Sequence, residues 1–184
     1  MQRNIKSSQA DKLAFDTARP IVLIGMMGVG KSTVGRRLAA QLGLDFVDAD
    51  DEIATAAGMS ISDIFANYGE EEFRDGERRV IARLLEQGRK VIATGGGAFM
   101  NAETRTLILE KAIAIWLDAD IDILVERVSR REGRPLLKDK NPRTVLTELA
   151  AVRNPVYALA PIHIKSGDGP HEQTVERIRE ALGR

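Results

Sequence analysis

The stretch Ile21–Thr33, IVLIGMMGVGKST, decides the fold of this chain. Its first four residues form an apolar run of the kind that a buried strand shows, and the run stops at Gly25. Two further glycines follow closely, and then Lys31, Ser32 and Thr33 bring a cation and two hydroxyls. Glycines let successive backbone N–H groups point inward, and the N-terminus of the next helix adds the positive end of its dipole. We therefore predict that this loop holds an anion.

The segment Gly25–Ser32 also matches the pattern G-x-x-x-x-G-K-[ST], directly after a predicted strand and at the start of a predicted helix. In such a phosphate loop Lys31 would reach the β- and γ-phosphates of a nucleotide, and the Ser32 hydroxyl would ligate Mg²⁺. The alternative is a glycine-rich turn without a ligand, although the pattern arises by chance in only roughly one chain in a hundred of this length. The match favours a nucleotide site.

Composition restricts the classes of partner. The chain has 184 residues, enough for one domain, with 43% apolar residues and only 4% aromatic ones, so the predicted core is aliphatic. Its 27 basic and 27 acidic residues balance, which leaves no global field for nucleic acid or an anionic membrane. The absence of cysteine suits a reducing cytosol, and no apolar run is long enough to span a bilayer. We expect a cytoplasmic protein without nucleic-acid or membrane partners.

Two segments organise the chain. Residues 1–19 have no continuous apolar stretch, so we expect a flexible extension and not a secretory signal; a weak helix around ADKLAFDTA is the alternative. In residues 20–184 short β-rich runs alternate with amphipathic stretches, which predicts an α/β domain with a parallel sheet. The five predicted strands are Ile21–Ile24, Asp45–Val47, Lys90–Ala93, Ala112–Leu117 and Ile162–Lys165. The predicted helices are Lys31–Leu42, the short segment ISDIFANY capped by Ser60, Glu70–Gln87, Asn101–Lys111, Asp120–Arg131, Asn141–Ala160 and Glu172–Leu182.

Acidic residues follow two of these strands, at the edge where ligands of parallel sheets bind. In FVDAD, Asp48 and Asp50 are two positions apart, so both carboxylates lie on one side of an extended segment. One could serve Mg²⁺ and the other an acceptor hydroxyl, although Asp50 or its neighbour could instead cap the next helix. The competing pair is Asp118 and Asp120, but Asp120 stands where a helix cap is expected. Asp48 is therefore the preferred partner of a metal ion.

Three further features concern the binding of a substrate that would accept a phosphoryl group. In EEEFRDGERR, Arg74 and Glu77 are one helical turn apart, a spacing that by itself is typical of a solvated, salt-bridged face. In VIATGGGAF a strand ends in the three glycines of residues 95–97, more than a turn needs, which suggests contact with a substrate. Arg153 is an isolated cation for which surface exposure is the simple interpretation. We see no chemistry for the two histidines and expect a core position for His163 and a surface position for His171, with Trp116 in the core.

A basic run with glycine and prolines predicts a mobile lid over phosphates. A nucleic-acid patch is the alternative, but interleaved aromatic residues are missing. The chain also lacks the Asn-Lys-x-Asp base reader of GTPases and the Leu-Ser-Gly-Gly-Gln segment of transporter ATPases, so a small kinase is favoured. The basic residues of the run are Arg127, Arg130, Arg131, Arg134, Lys138, Lys140 and Arg143.

Taken in order, GMMGVGKST, FVDAD, SISDIFANYGEEEFRDGE, TGGGAF, RPLL and RNPVY resemble the shikimate kinase family. The resemblance implies an enzyme of aromatic amino acid biosynthesis that transfers the γ-phosphoryl group of ATP to the 3-hydroxyl of shikimate with Mg²⁺. It also implies a P-loop kinase fold, with a five-stranded parallel sheet in the order 2-3-1-4-5, a mobile lid at about residues 132–142, and a monomer.

For the substrate side, the resemblance implies that Asp50 holds the hydroxyls of shikimate and acts as the base. Arg74 and Arg153 would clamp its carboxylate, and Gly96 and Gly97 would offer backbone contacts. Arginine suits this task because its planar fork binds both oxygens of a carboxylate.

For the nucleotide side, the resemblance implies catalytic roles for Lys31 and for Arg134 in the lid. Arg127 would stack on adenine, although Arg130 is an alternative, and Asp48 and Ser32 would serve Mg²⁺. The implied phosphate and nucleotide contacts are Gly28, Val29, Gly30, Lys31, Ser32, Thr33, Arg127 and Arg134.

Other functions stay open at this point. Another metabolite kinase, such as a gluconate kinase, would share the phosphate loop, and a nucleotide-gated binding protein could lack turnover. Two residues depart from the family pattern, because Asp75 and Gly76 follow Arg74 where many members have a second basic residue. A glycine at this place weakens a helix by about 1 kcal/mol but spares Arg74.

Overall fold

The computed structural model describes residues 18–130, 137 and 139–183, and within them seven α-helices accompany one sheet of five strands. The strands are β1 (Ile21–Ile24), β2 (Phe46–Asp48), β3 (Val91–Ala93), β4 (Ile113–Asp118) and β5 (Ile162–Lys165). The helices are α1 (Lys31–Leu42), α2 (Ala49–Ala57), α3 (Ile61–Glu86), α4 (Ala102–Lys111), α5 (Ile121–Ser129), α6 (Pro142–Tyr157) and α7 (His171–Ala181). A short 3₁₀ turn, Ala98–Met100, follows the glycines after β3.

The strand order is β2-β3-β1-β4-β5, and every pair is parallel, so the predicted fold class and order are confirmed. The central strand β1 is buried along its whole length, as a strand with helices on both faces must be. The core is aliphatic, as predicted from the composition. Because all five strands run the same way, their carboxyl ends meet at one edge, where the phosphate loop leaves β1.

Three strands differ from the predicted bounds. Both β2 and β4 begin and end one residue later than predicted, so each ends at an aspartate, with Asp48 aligned with Ala93 and Asp118 aligned with Lys165. Strand β3 begins at Val91 instead of Lys90. Because aspartate is depleted in strands, the prediction from the sequence ended β2 and β4 one residue earlier. The ladder reaches these positions because the neighbouring strand continues beside them.

The two predicted helices ISDIFANY and Glu70–Gln87 form one element, α3, with a break at Gly69. Gly69 has φ 82° and ψ 177°, a conformation that is essentially restricted to glycine. The predicted cap at Ser60 is present, since its side chain accepts a hydrogen bond from the Asp63 N–H. In the part of α3 that follows the break, Phe73 and Glu77 are buried.

Glycine replacements in α3 should have opposite effects on stability. Gly76 lies in the regular part of the helix, and a Cβ there would meet no heavy atom within 4 Å, so Gly76→Ala should raise the free energy of unfolding by about 0.5–1 kcal/mol. Gly69→Ala, equally open, should lower it by about 1–3 kcal/mol because alanine resists the positive φ. Urea unfolding of both variants checks the pair. If Gly69→Ala raised the free energy of unfolding, the positive φ at the Gly69 break would be contradicted.

The predicted caps Asn101 and Asn141 accept hydrogen bonds from Thr104 and Thr144 N–H groups. Asp120 does not cap as predicted, because its carboxylate lies 2.8 Å from the ammonium of Lys165 instead.

Most of the N-terminal extension and of the predicted lid, including Arg134, lies outside the described residues. Within the described part of the chain, none of the helices has both the length and the apolar character needed to cross a membrane.

Candidate active site

The phosphate loop, residues 25–30, joins β1 to α1 at the carboxyl edge of the sheet. Gly28 and Gly30 have φ of 81° and 100°, in the left-handed region that glycine tolerates. Gly30 occupies the N-cap of α1 without a side chain that could satisfy the first helical N–H groups. These donors and the helix dipole therefore remain available to an anion, as the sequence predicts.

The side chain of Lys31 is held over this loop. Its ammonium donates to the carbonyl oxygens of Gly25 at 2.8 Å and Met26 at 2.9 Å. A positive charge is thus concentrated beside the backbone donors of the loop, where the phosphates of a nucleotide would lie.

Asp48 connects the loop to the second strand. Its Oδ2 accepts a hydrogen bond of 2.7 Å from the Ser32 hydroxyl, and its Oδ1 accepts one of 3.0 Å from the Asp50 N–H. Asp48 is therefore the cap of α2, and the alternative that Asp50 or Asp51 only caps this helix is wrong. The extended backbone of Asp48, at the strand end, directs its carboxylate towards the next helical N–H groups. A hydroxyl and a carboxylate in contact are the oxygen ligands that Mg²⁺ prefers.

The competing acidic pair, Asp118 and Asp120, makes contacts with a different strand. Asp118 accepts from Lys165 at 3.2 Å and lies 3.3 Å from the ring of His163. Together with the pairing of Asp120 and Lys165, this commits both carboxylates to β5, on the far side of β4 from β1. The preference for Asp48 as the metal partner is consistent with this arrangement.

Asp50 lies in the first turn of α2 and in the cleft together with Lys31. Burial raises the pKa of its carboxyl, and the charge of Asp48 acts in the same direction, against Lys31 and Arg74. A carboxylate whose pKa is moved towards neutrality is better suited to accept a proton than an exposed one.

Arg74 and Glu77 do not form a solvated face, so that expectation is wrong. Glu77 is only 1% exposed, and its Oε2 accepts a hydrogen bond of 2.7 Å from Arg74. Among the described residues its Oε1 has no hydrogen-bond partner. Burial raises the pKa of Glu77 against the opposing charge of Arg74. The spacing of the pair was visible in the sequence, but its burial depends on how α3 packs against the glycines after β3.

Each of the three glycines after β3 makes room for charged groups. A Cβ at Gly95 would lie 3.0 Å from Asp50 Oδ1 and 3.2 Å from Glu77 Oε1. The glycines do not have positive φ, so the reason for them is space and not backbone conformation. They bring the backbone against Asp50 and against two arginines.

Those arginines are Arg153 and Arg74. A Cβ at Gly96 would approach Nη1 of Arg153 to 3.0 Å, and one at Gly97 would approach Nη2 of Arg74 to 2.3 Å. Arg153 is therefore not an exposed surface cation, since it lies half-buried against the loop. The structure thus brings the predicted substrate residues Asp50, Arg153 and Arg74 against the consecutive glycines of residues 95–97.

On the other side of the cleft, Arg127 of α5 contacts the phosphate loop. Its guanidinium donates to Val29 O at 3.1 Å and to Gly167 O at 3.0 Å, which links the loop to the segment after β5. Arg130 instead pairs with Glu126 and its side chain is 74% exposed. Of these two arginines, the geometry favours Arg127 for a nucleotide contact.

The histidines differ from their expected positions. His163 is exposed on β5 and stacks on Trp116 at 4.0 Å, while Trp116 itself is buried as predicted. His171 begins α7 and lies against Gly30, where burial and the charge of Arg127 lower the pKa of its ring. No signal in the sequence linked this histidine to the loop, because α7 is far away along the chain.

These groups enclose a cleft of about 410 Å³. One wall offers backbone donors and cations for phosphates, and the other offers the Asp50 carboxylate and the backbone of Gly95 and Gly96. Arg153 and Arg74 do not line the cleft itself but lie against the adjoining glycines Gly96 and Gly97. The lining residues are Met27, Gly28, Gly30, Lys31, Ser32, Thr33, Asp48, Asp50, Thr94, Gly95, Gly96, Arg127, Arg130 and His171.

Comparison with known proteins gives a consistent family. The family model described as shikimate kinase matches residues 27–183. The chain is 58% identical over 182 residues to a shikimate kinase of Novosphingobium aromaticivorans, covering 97% of this chain and 94% of the relative. It is 61% identical over 173 residues to a shikimate kinase of Caulobacter vibrioides, covering 94% and 86%.

Solved structures of similar proteins agree with the family found from the sequence comparisons. A shikimate kinase from Acinetobacter baumannii, solved in complex with shikimate, is similar with a TM-score of 0.86 and 36% identity over 94% of this chain and 97% of that one. A gluconokinase from Sinorhizobium meliloti has a TM-score of 0.62 at 19% identity, over 91% and 93% of the two chains, which shows a shared fold alone.

Proposed function

The chain belongs to the shikimate kinase family, and we propose that it phosphorylates the 3-hydroxyl of shikimate with ATP as co-substrate and Mg²⁺ held by Ser32 and Asp48. The kinase predicted from the sequence is confirmed at the level of the family. One observation carries the assignment of the site. Asp50 shares a cleft with the phosphate loop and lies against Gly95, and the next two glycines, Gly96 and Gly97, lie against Arg153 and Arg74.

The substrate side fits a small carboxylic acid with hydroxyl groups. Shikimate carries one carboxylate and three hydroxyls, and a pair of arginines beside an aspartate is the matching set of groups. We assign the carboxylate to Arg74 and Arg153, and the backbone contacts to Gly96 and Gly97. The hydrogen bond from Arg74 to Glu77 supports this role, because it fixes the guanidinium in one orientation.

The nucleotide side fits ATP. The backbone of residues 28–33 would hold the phosphates, and Arg127 would lie against adenine. A hard cation takes oxygen ligands, so the contact between the Ser32 hydroxyl and the Asp48 carboxylate supports a Mg²⁺ site. When bound, this ion neutralises charge on the β- and γ-phosphates. Arg134 stays a prediction for the lid.

In the proposed reaction Asp50 accepts the proton of the 3-hydroxyl while the new oxygen–phosphorus bond forms and the bond to ADP breaks. Phosphoryl transfer passes through a loose transition state, so positioning and positive charge matter more than covalent help. Lys31 supplies positive charge from the loop. Arg74 and Arg153 fix the acid so that its hydroxyl faces the terminal phosphate.

The test is an assay of ADP release with purified protein, ATP and Mg²⁺. We expect release to require shikimate, and we expect gluconate to give none. A chain that releases ADP with gluconate but not with shikimate would be the related metabolite kinase. A chain that binds nucleotide but shows no acceptor-dependent release would be a binding protein. The monomer, the cytoplasmic location and the lack of nucleic-acid binding stay predictions.

Replacing Arg74 by lysine tests the carboxylate clamp. Lysine keeps the charge but loses the planar fork, so we expect the KM for shikimate to rise about 10- to 100-fold, as the loss of one charge-assisted hydrogen bond predicts. The KM for ATP should change less than about twofold. Steady-state kinetics with each substrate varied in turn give both values.

Arg78→Lys is the matched control, one turn further along α3. Arg78 pairs with Asp75 at 2.6 Å and Glu103 at 3.1 Å and does not line the cleft, so this variant should behave as the wild type. Equal changes in both KM values for Arg74→Lys would count against the assigned clamp.

A further inference from the structure

Tyr157 ends α6 and is fully buried, although it carries a polar hydroxyl. A buried phenol needs hydrogen-bond partners, since an unsatisfied polar group is destabilising. The Tyr157 hydroxyl donates a hydrogen bond to the Gly96 carbonyl, next to the predicted substrate groups. Arg153 lies near enough for its charge to oppose the effect of burial on the pKa of the phenol.

The spacing on the helix places Arg153 beside Tyr157. The two residues are four positions apart on α6, so their side chains lie on the same face, one turn apart. A guanidinium has only donors, so the Tyr157 oxygen, which donates to Gly96, can serve Arg153 only as an acceptor. Burial raises the pKa of Tyr157 against the opposing charge of Arg153, so the hydroxyl keeps its proton at neutral pH.

The contact with Gly96 acts on the next residue. The Gly96 carbonyl and the Gly97 N–H belong to one planar peptide unit, so a hydrogen bond to the oxygen also fixes the direction of the N–H. Three consecutive glycines have more conformational freedom than any other tripeptide, and an anchor restricts it. Gly97 is also the residue that lies against Arg74.

We propose that Tyr157 is a positioning residue for the acid substrate, which aligns the Gly97 N–H and the Arg153 guanidinium through a single hydroxyl. This inference rests on the proposed function, because both aligned groups are assigned to shikimate. Tyr157 itself does not touch the reacting atoms. It determines the positions of two binding groups, the Gly97 N–H and the Arg153 guanidinium.

The experiment is Tyr157→Phe, which keeps the ring and removes the hydroxyl. We expect the KM for shikimate to rise about tenfold, as the loss of one hydrogen bond with a buried partner predicts, and the KM for ATP to stay within about twofold. A merely structural role would lower the melting temperature without separating the two KM values. The matched control is Tyr68→Phe, since Tyr68 is the other tyrosine of the chain and is 60% exposed.

The outcomes separate this inference from the proposed function. A wild-type chain without shikimate-dependent turnover refutes the proposed function. An active wild type whose Tyr157→Phe variant has unchanged KM values for both substrates overturns the role of Tyr157.

A second measurement uses the intact hydroxyl in case the variant does not fold. Wild-type protein is labelled with 3-fluorotyrosine, which enters only Tyr68 and Tyr157, and the Tyr68→Phe variant assigns the two ¹⁹F resonances. The resonance of Tyr157 should shift when shikimate is added and not when ADP is added. An unchanged Tyr157 resonance at saturating shikimate overturns the inference.

Discussion

Replacing Lys31 by alanine is expected to lower kcat for shikimate-dependent ADP release about a thousandfold or more. The ammonium lies over the loop, bonded to the carbonyls of Gly25 and Met26, and no other lysine lines the cleft in the described part of the chain. Without this ammonium, the negative charge on the phosphate oxygens would lose a counter-charge that is fixed in place, and such preorganised groups have large effects on rate. A coupled spectrophotometric assay measures the change.

Lys90→Ala is the control for this variant. Lys90 lies just before β3, outside the cleft, and donates to Gln87 at 3.1 Å on the surface. We expect wild-type kinetics for it. Thermal unfolding should show that the Lys31→Ala variant is folded. If folded Lys31→Ala retained more than about a tenth of the wild-type kcat, the phosphate-loop assignment would be wrong.

The second large effect is expected for Asp50→Asn. Removing a general base lowers rates by about 10²–10⁴, and asparagine keeps the shape of the side chain, so the loss should fall on kcat. The neighbour Asp51, which is exposed, supplies the matched control Asp51→Asn. A small effect of Asp50→Asn on kcat would exclude Asp50 as the base.

The same variant should be more stable than the wild type. The pKa of Asp50 is raised by burial and by Asp48, so the fold disfavours the carboxylate, and at neutral pH its charge destabilises the native state. Asparagine removes that charge, and the melting temperature at pH 7 without added metal should rise. The difference should vanish below the ordinary pKa of an aspartate, where the carboxyl is protonated in both states. A lower melting temperature at pH 7 would contradict this account.

The sequence was most informative where a local pattern fixes a local structure. The phosphate loop needs glycines and a lysine at set positions, and alternating strands and helices restrict the topology, so both were predictable. The bounds of β1, α1 and β5 agree with the prediction, because glycine or proline marks their ends.

The sequence was less informative where burial depends on tertiary packing. The spacing of Arg74 and Glu77 is the same on a solvated helix and on a buried one, and only the approach of residues 95–97 decides between them. The double role of Asp48 likewise depends on the distance between α1 and β2. His171 could not be linked to the loop, since the contact joins distant parts of the chain.

A crystal structure of this protein with ADP and shikimate tests the central claim most directly. We expect the shikimate carboxylate at about 3 Å from the guanidinium groups of Arg74 and Arg153, and the 3-hydroxyl beside Asp50 on the side that faces the phosphate loop. Shikimate bound with its carboxylate away from Arg74 and its hydroxyls away from Asp50 would contradict the account.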